Sequence, residues 1–434
     1  MRQNKFGLTP TMALKTVPFL TGYVSPINSI QSGSPLYMKF IILFFLGSLT
    51  VAAVAETTFE SWSYMENDLY PSAIISTATV DWNGDKELAE DKNNLRKKIP
   101  KDQVALFGDE NGWLGVDLTN LPKGATIEVE ISIDGFLRPS KWKGKTKRAY
   151  ADARIFPKAS WDYDALHKVR QQRPATATFK VSVNGQALSE LSDTFIIHSI
   201  NDCPFYVAWD EKGQDVDDFS WLFAAYVNEN HPLVDDILKE ALETDLVDEF
   251  SGYQEGDPDH VLEQVFAIWH VLQRRGIKYS DISTTTPGEY VTSQSVRFID
   301  DTIEATQANC VDGSVLMASI LQKIGINSYL AMVPGHCFLA FDDGDHARAE
   351  VLGLETTKLG NADLKPATKA GKLPATISKK EFKSSFRTFS NAIEEGNDQL
   401  DRYWKKFTRG NNPDIQLISI IEAREFGIMP IATD

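Results

Sequence analysis

Residues 309–326, NCVDGSVLMASILQKIGI, decide the fold of this protein. Their apolar residues recur at three- and four-residue spacing, which predicts an amphipathic helix that begins near Cys310 and stops at Gly325. Asp312 is expected to act as a capping acceptor at the start of this helix. Unpaired backbone N–H groups and the positive end of the helix dipole lie in the first turn and favour a thiolate. The position of Cys310 therefore predicts a nucleophilic thiol.

A nucleophilic thiol needs a base, and the base needs a group that orients it. Two predicted strands, SYLAMV and CFLAF, follow the helix and are joined by Pro334 and Gly335, and His336 opens the second strand. Glu355 lies in VLGLETT, a short apolar strand followed by polar residues. Adjacent strands of one sheet can place an imidazole and a carboxylate side by side. Cys310, His336 and Glu355 are therefore the predicted catalytic residues.

The segment from Gln294 to Thr357 contains SQSVRF, NCVDGS, ASILQKIGI, VPGHCFLAF and LETT, and it resembles the transglutaminase-like superfamily. This resemblance implies a papain-like fold and acyl transfer through a cysteine thioester. It also implies that Cys310 is the nucleophile and His336 the general base, while Glu355 occupies the position of the orienting carboxylate.

Two features depart from the family pattern. Glu355 stands where an aspartate is usual, which lengthens the side chain by one methylene but keeps an acceptor for the imidazole N–H. Many family members use an upstream tryptophan in the oxyanion hole, but no tryptophan lies between Trp269 and Cys310. Gln294 and Gln307 are the candidates for a side-chain donor beside the Cys310 backbone N–H.

Three functions are compatible with these residues. The first is a cysteine peptidase or amidase, in which water resolves the thioester. The second is a protein-glutamine transglutaminase, in which a lysine amine resolves it. The third is a catalytically silent binding or scaffold protein. The expected substrate of the enzyme is a protein or peptide, and neither a cofactor nor a metal is expected.

The hydrophobic pattern along the chain predicts an α+β fold. Alternating segments such as ATIEVEISIDGF and ATFKVSVNGQAL predict a β-sandwich-like accessory domain over residues 56–204. Helical spacing begins near Phe219 and predicts helices that lead into the transglutaminase-like domain. These helices and the domain together are expected to occupy residues 205–434, and the core of the domain is expected at about 260–434. A lysine-rich helix is expected at 379–406. It precedes IQLISIIEA, an amphipathic or strand-like stretch.

The segment that starts at Met38, MKFIILFFLGSLTVAAVAETT, predicts export of the protein. A short basic start, an apolar run and the small-x-small sequence ending at Ala55 are typical of a secretory signal peptide over 38–55. The apolar run is shorter than the ~20 residues of a spanning helix. The protein is therefore expected to be secreted or periplasmic, and attached to a membrane only if the segment stays uncleaved. Residues 1–37 are expected to be absent from the mature protein, and a start codon assigned too early would account for them.

The net charge of −16 argues against a nucleic-acid partner, because phosphate binding depends on clustered lysine and arginine. The basic run at 141–148, KWKGKTKR, is interpreted as a solvated loop. Three cysteines are too few for a disulfide framework. Strand alternation points Cys337 away from the His336 side of the strand, so it is either a core residue or disulfide-bonded to Cys203. His270, within an apolar helix, is interpreted as a core or interface residue with satisfied hydrogen bonds.

Overall fold

In the computed structural model the described part of the chain is an α+β protein, as expected from the sequence. The described residues are 56–80, 104–109, 113–208, 216–254, 256–280, 282, 285–344, 351–362, 364, 377–409, 412 and 414–431. The expected signal segment 38–55 and residues 1–37 lie outside them. No helix within the described ranges is long and apolar enough to cross a membrane.

Strands predominate in the N-terminal part of the described chain, and helices and strands are interspersed in the C-terminal part. The helices are α1 Pro71–Ser76, α2 Tyr163–His167, α3 Pro232–Leu242, α4 Pro258–Arg274, α5 Ile299–Ala305, α6 Cys310–Lys323, α7 Lys379–Phe407 and α8 Ile420–Phe426, with 3₁₀ helices at Ser220–Tyr226 and Thr356–Asn361. The strands are β1 Thr58–Ser63, β2 Asp68–Leu69, β3 Ala105–Gly108, β4 Leu114–Leu121, β5 Thr126–Ile133, β6 Leu137–Lys145, β7 Tyr150–Phe156, β8 Ser160–Trp161, β9 Arg173–Val183, β10 Gln186–Ala187, β11 Leu191–Ile197, β12 Asp202–Ala208, β13 Val216–Asp218, β14 Lys278–Tyr279, β15 Thr285–Pro287, β16 Val291–Ser295, β17 Gln307–Ala308, β18 Ser328–Val333, β19 His336–Asp342, β20 Val351–Leu354 and β21 Gln416–Ser419.

Two sheets build the N-terminal region. Their strand orders are β1-β4-β7-β3 and β2-β11-β9-β5-β6-β8. Strand β5 shows why the alternating sequence pattern was informative: Ile127, Val129, Ile131 and Ile133 are buried, and the residues between them are less so. The inward-facing residues of both sheets belong to one hydrophobic cluster.

The basic run at 141–148 lies largely in β6, so its interpretation as a loop is wrong. Lys141 and Lys143 project from β6 towards acidic residues of β5, and their ammonium groups lie 2.9 Å from Glu130 and 2.6 Å from Glu128 respectively. Opposite charges on facing strands stabilise the pairing, which the local sequence of either strand does not reveal. The run is a solvated face of a sheet.

A four-stranded antiparallel sheet, β20-β19-β18-β21, forms the centre of the C-terminal region. Helix α6 packs against β18 and β19, and α7 packs against β20. Helix α7 matches the expected lysine-rich helix to within one residue at its C-terminal end. The stretch IQLISIIEA contains both β21 and the start of α8.

Helix α7 covers the outer edge of β20 through a contact between two glycines. A Cβ atom on Gly396 would lie 2.3 Å from the carbonyl carbon of Gly353, so neither position has room for a side chain. The backbone N–H of Gly353 donates to Oδ1 of Asn397 at 2.8 Å, and that of Glu355 donates to the Ala392 carbonyl at 2.9 Å. The helix thus supplies the acceptors that a further strand would otherwise provide, and it fixes the backbone that carries Glu355.

The N- and C-terminal regions share a continuous hydrophobic cluster. Strand β12 crosses the expected domain boundary at 204/205 and pairs with both β13 and β16. Near the end of the chain, the N–H of Met429 donates to the Ser76 carbonyl at 2.9 Å, and that of Ile431 donates to the Ala225 carbonyl at 2.8 Å. The C-terminal residues therefore tie α1 to the rest of the core.

Candidate active site

Cys310 is the first residue of α6, as the sequence predicted. Asn309 is the N-cap residue, and its Oδ1 accepts hydrogen bonds from the N–H groups of Val311 and Asp312, both at 2.9 Å. Oδ2 of Asp312 accepts in return from the Asn309 N–H at 3.1 Å. This reciprocal capping box satisfies the first backbone donors of the helix and holds the thiol at its N-terminus. The capping role predicted for Asp312 is confirmed.

Arg297 compensates the buried charge of Asp312. Its guanidinium donates to Oδ2 of Asp312 at 2.8 Å, and its backbone N–H donates to Oδ1 at 2.9 Å. The Asp312 side chain has no solvent exposure, and an uncompensated carboxylate there would be strongly destabilising. Arg297 lies in the SQSVRF motif, but nothing in the local sequence identified it as the partner of Asp312.

The start of α6 packs closely against the residue that follows Glu355. A Cβ atom on Gly313 would lie 3.0 Å from Oγ1 of Thr356. The Ser314 hydroxyl donates to the Cys310 carbonyl at 2.8 Å and lies 3.3 Å from the Thr356 hydroxyl. The glycine and serine of the NCVDGS motif therefore bring the nucleophile helix against the carboxylate segment.

His336 and Glu355 form a hydrogen-bonded ion pair. Nε2 of His336 donates to Oε2 of Glu355 at 2.7 Å. The other carboxylate oxygen, Oε1, accepts from the Thr357 N–H at 3.2 Å and from the Thr357 hydroxyl at 2.7 Å. Glu355 is only 1% exposed, so these contacts hold a carboxylate that is almost completely removed from solvent.

The Cys310 thiol interacts with the His336 ring, so the three predicted residues lie together. Because Nε2 hydrogen-bonds to Glu355, Nδ1 is the ring nitrogen that can interact with the thiol. Cys310 is partly exposed, and 24% of the His336 side chain is exposed. The thiol and imidazole are therefore open to solvent, whereas the carboxylate that orients the imidazole is buried.

The electrostatics of the pair favour charged forms of both partners. Burial opposes protonation of His336, but its interactions with Cys310 and Glu355, together with the charges of these two groups, raise its pKa to about 10. Burial opposes ionisation of Glu355, but hydrogen bonds from His336 and Thr357 outweigh it and place its pKa below the ordinary value. At neutral pH the imidazolium and the carboxylate are therefore the stable forms.

Cys203 and Cys337 differ chemically from Cys310. Both are free and fully buried, so the structure agrees with the core position expected for Cys337 and not with a disulfide between the two. Burial raises the pKa of each thiol well above its ordinary value, which keeps both protonated and unreactive. Cys310 is the accessible thiol among the three.

The two candidate oxyanion donors lie on different elements. Gln294 is in β16, opposite Cys203 and Thr285, and its Oε1 accepts from the Thr285 hydroxyl at 3.4 Å. Gln307 is an exposed residue of β17. Neither residue is among those that line the cleft around His336, and their role in an oxyanion hole stays a prediction.

A cleft of about 530 Å³ opens beside the imidazole and carboxylate. Most of its walls are polar. The cleft is lined by Lys278, Tyr279, His336, Glu355, Thr357, Lys358, Gly360, Asn361, Glu395 and Gln399. The cleft opens the imidazole to solvent, and Cys310 is not among the residues that line it.

His270 is fully buried in α4, as expected, but its hydrogen bonding was predicted wrongly. Among the described residues, neither ring nitrogen has a hydrogen-bond partner. Burial, helped by the charge of Arg274, lowers the pKa of His270 to about 4 and keeps the ring neutral. The described part of the chain contains no group of three or more His, Cys, Asp or Glu residues placed to hold a metal ion.

No protein-family model matches this chain, and a search of curated proteins found no match. The function of the site is therefore inferred from its residues and their geometry.

Proposed function

We propose that this protein is an exported cysteine hydrolase of the transglutaminase-like kind, which cleaves peptide or amide bonds through a thioester on Cys310. The observation that carries this proposal is that Cys310, at the N-terminus of α6, interacts with the His336 ring, which in turn hydrogen-bonds to the buried Glu355. A nucleophile, a base and an orienting carboxylate in this order are what acyl transfer by a thiol requires.

In the first step, the Cys310 thiolate attacks the acyl carbon of the scissile amide. The C–N bond breaks as the thioester forms, and the His336 imidazolium gives its proton to the departing amine. Glu355 keeps the imidazole in the orientation needed for this transfer and stabilises its charged form. The helix N-terminus at Cys310 also favours the negative charge of the attacking sulfur.

In the second step, the now neutral His336 accepts a proton from water, and the resulting hydroxide attacks the thioester. The carboxylic acid is released and the thiolate–imidazolium pair is restored. The polar cleft and the partly exposed imidazole give water access to His336, the base of this step, and this favours hydrolysis over transfer to an amine.

The arrangement of elements supports membership of the transglutaminase-like superfamily with a papain-like core. A cysteine at a helix N-terminus packs against an antiparallel sheet, and neighbouring strands of that sheet lead to the histidine and the carboxylate. The segment from Met38 supports export, which would expose the enzyme to extracellular or periplasmic polypeptides.

The proposal is tested by incubating the mature protein, under reducing conditions, with denatured casein and a labelled primary amine. If the protein is a hydrolase, new peptide termini should appear with little label in the product. Cys310→Ala is expected to abolish the formation of new termini. Incorporation of the amine as the dominant reaction, lost in Cys310→Ala, would show a transglutaminase instead. If Cys310 reacts with iodoacetamide no faster than Cys203 and Cys337, the result would indicate a catalytically silent protein.

A further inference from the structure

Lys278 stands apart from the other charged residues of the cleft. Lys358 forms an ion pair with Glu395 at 2.6 Å, and His336 pairs with Glu355 at 2.7 Å. Lys278 lines the same cleft, and within the described ranges its ammonium group has no ion-pair partner. One positive charge in the wall of the cleft is therefore available to a ligand, in a chain whose net charge is −16.

The backbone of Lys278 is fixed relative to the nucleophile. Strand β14 runs parallel to β17, and β17 leads directly into the N-cap of the Cys310 helix. The Lys278 N–H donates to the Thr306 carbonyl at 3.0 Å, and the Ser280 N–H donates to the Ala308 carbonyl at 2.9 Å. Movement of Lys278 away from the site would break these backbone hydrogen bonds.

Gly360 packs against the other side of β14, at the backbone of Lys278. A Cβ atom on Gly360 would lie 2.8 Å from Cα of Lys278, so the 3₁₀ helix that follows Glu355 can approach the lysine backbone only with a glycine at this position. Lys278 is thus held between the segment that precedes Cys310 and the segment that follows Glu355. Its side chain is flexible, but its Cα is tied to both parts of the catalytic machinery.

We infer that Lys278 selects substrates that carry a carboxylate close to the scissile acyl group. The ammonium would pair with that carboxylate in the cleft, while Tyr279, which is 39% exposed, offers an aromatic surface beside it. The carboxylate belongs either to an acidic side chain or to a free chain terminus, and both supply the same charge. This inference rests on the proposed function, because it assigns specificity to the same site.

The inference predicts how Cys310 discriminates between two small alkylating reagents. Iodoacetate and iodoacetamide form the same bond to sulfur and release iodide, but only iodoacetate carries a carboxylate. The ratio of their second-order rate constants at Cys310 is measured by peptide mass mapping at low ionic strength. Lys278→Gln is expected to lower this ratio by about twofold to fivefold, the range for a partly screened charge pair. Lys278→Arg is expected to retain it.

Lys123→Gln is the matched control, because it removes the same charge from an exposed turn between β4 and β5 and should leave the ratio unchanged. High salt is expected to bring the wild-type ratio close to that of Lys278→Gln. An equal ratio in wild type and Lys278→Gln, with Cys310 still reactive, overturns the inference and leaves the proposed function standing. Failure of both reagents at Cys310 contradicts the proposed function itself.

The source of the carboxylate is distinguished by protection of Cys310 from iodoacetamide. The competitors are N-acetylglutamate α-amide, N-acetylglutamine and N-acetylglutamine amide, which carry a side-chain carboxylate, an α-carboxylate and no carboxylate respectively. Stronger protection by the first or the second identifies the acidic side chain or the free terminus, and this advantage should disappear in Lys278→Gln. Equal protection by all three overturns the inference.

Discussion

The two carboxylate oxygens of Glu355 accept hydrogen bonds from two different residues. Oε2 accepts from His336, while Oε1 accepts from both donors of Thr357. This division explains how a glutamate can serve where an aspartate is usual in the family that the sequence resembles. Glu355 is also the N-cap residue of the 3₁₀ helix Thr356–Asn361, so its longer side chain is held by the turn that it starts. Thr357 is thus a positioning residue for the carboxylate.

Replacing Glu355 with glutamine should lower the pKa of His336. The carboxylate stabilises the imidazolium, so the loss of its charge should move the His336 pKa from about 10 towards the ordinary value of 6.5, by about one to two pH units. Because the imidazolium is the acid of the first step, the alkaline decline of activity should then begin at a lower pH. NMR titration of the His336 ring and a pH profile of kcat/KM measure the two effects.

Glu355→Asp keeps the charge and serves as the control for this substitution. Glu355→Asp should retain a higher His336 pKa than Glu355→Gln. An alkaline decline at the same pH in wild type and Glu355→Gln would contradict the role given to the carboxylate.

At the residue scale, the sequence indicated the three residues of the candidate site more clearly than the contacts that support them. Cys310, His336 and Glu355 were found because each stands in a recognisable local context, namely a helix start, a turn before a strand and the end of a strand. Arg297 was missed because its contact with Asp312 depends on how separate elements pack. The partnerless ring of His270 was also missed, since an apolar helix pattern indicates burial but not what surrounds the two ring nitrogens.

At the scale of elements, the position of the nucleophile helix depends on its first turn. The capping box of Asn309 and Asp312 fixes where α6 begins, and Gly313 allows it to approach Thr356. The start of the helix and its capping residue Asp312 could be predicted from the sequence, because capping residues act locally. The close contact between Gly396 and Gly353 could not be predicted from the sequence, because the two glycines meet only when α7 packs against β20.

Gly396→Ala should therefore destabilise the protein, although the same change in an exposed helix usually stabilises by about 1 kcal/mol. The new methyl group would overlap the backbone of Gly353, and overpacking of this kind costs about 1 to 3 kcal/mol. Activity should fall as well, because α7 accepts the hydrogen bond from the Glu355 N–H. Urea unfolding and kcat/KM measure the two losses.

Gly353→Ala introduces the same overlap from the strand side and should reproduce both losses. If Gly396→Ala were as stable and as active as the wild type, the glycine contact would not be what holds β20 and α7 together.

At the scale of the whole molecule, the N-terminal sheets are attached to the C-terminal region through a shared core. The sequence predicted the change from alternating to helical pattern correctly, because periodicity is a local property. It could not show that β12 pairs with β16, or that residues near the C-terminus bond to α1 and to the 3₁₀ helix Ser220–Tyr226. Such contacts join segments that are far apart in the chain.

The shared core predicts that the two regions unfold together. Hydrogen exchange measured by mass spectrometry at increasing urea should show β5 and α4 losing protection at the same urea concentration, since both contribute to one hydrophobic cluster. Loss of protection in β5 at a clearly lower concentration than in α4 would show that the N-terminal sheets are an independent unit.

The central claim is that Cys310 carries the acyl group during turnover. It is tested most directly by mixing the protein with a p-nitrophenyl ester of an N-acetylated amino acid, quenching with acid and mapping the modified residue by mass spectrometry. One acyl group is expected on Cys310, and it should be released by hydroxylamine and lost with time as water hydrolyses the thioester. His336→Ala should greatly slow its formation. A rapid burst of nitrophenol without acylation of Cys310, or acylation confined to lysines, would contradict the account.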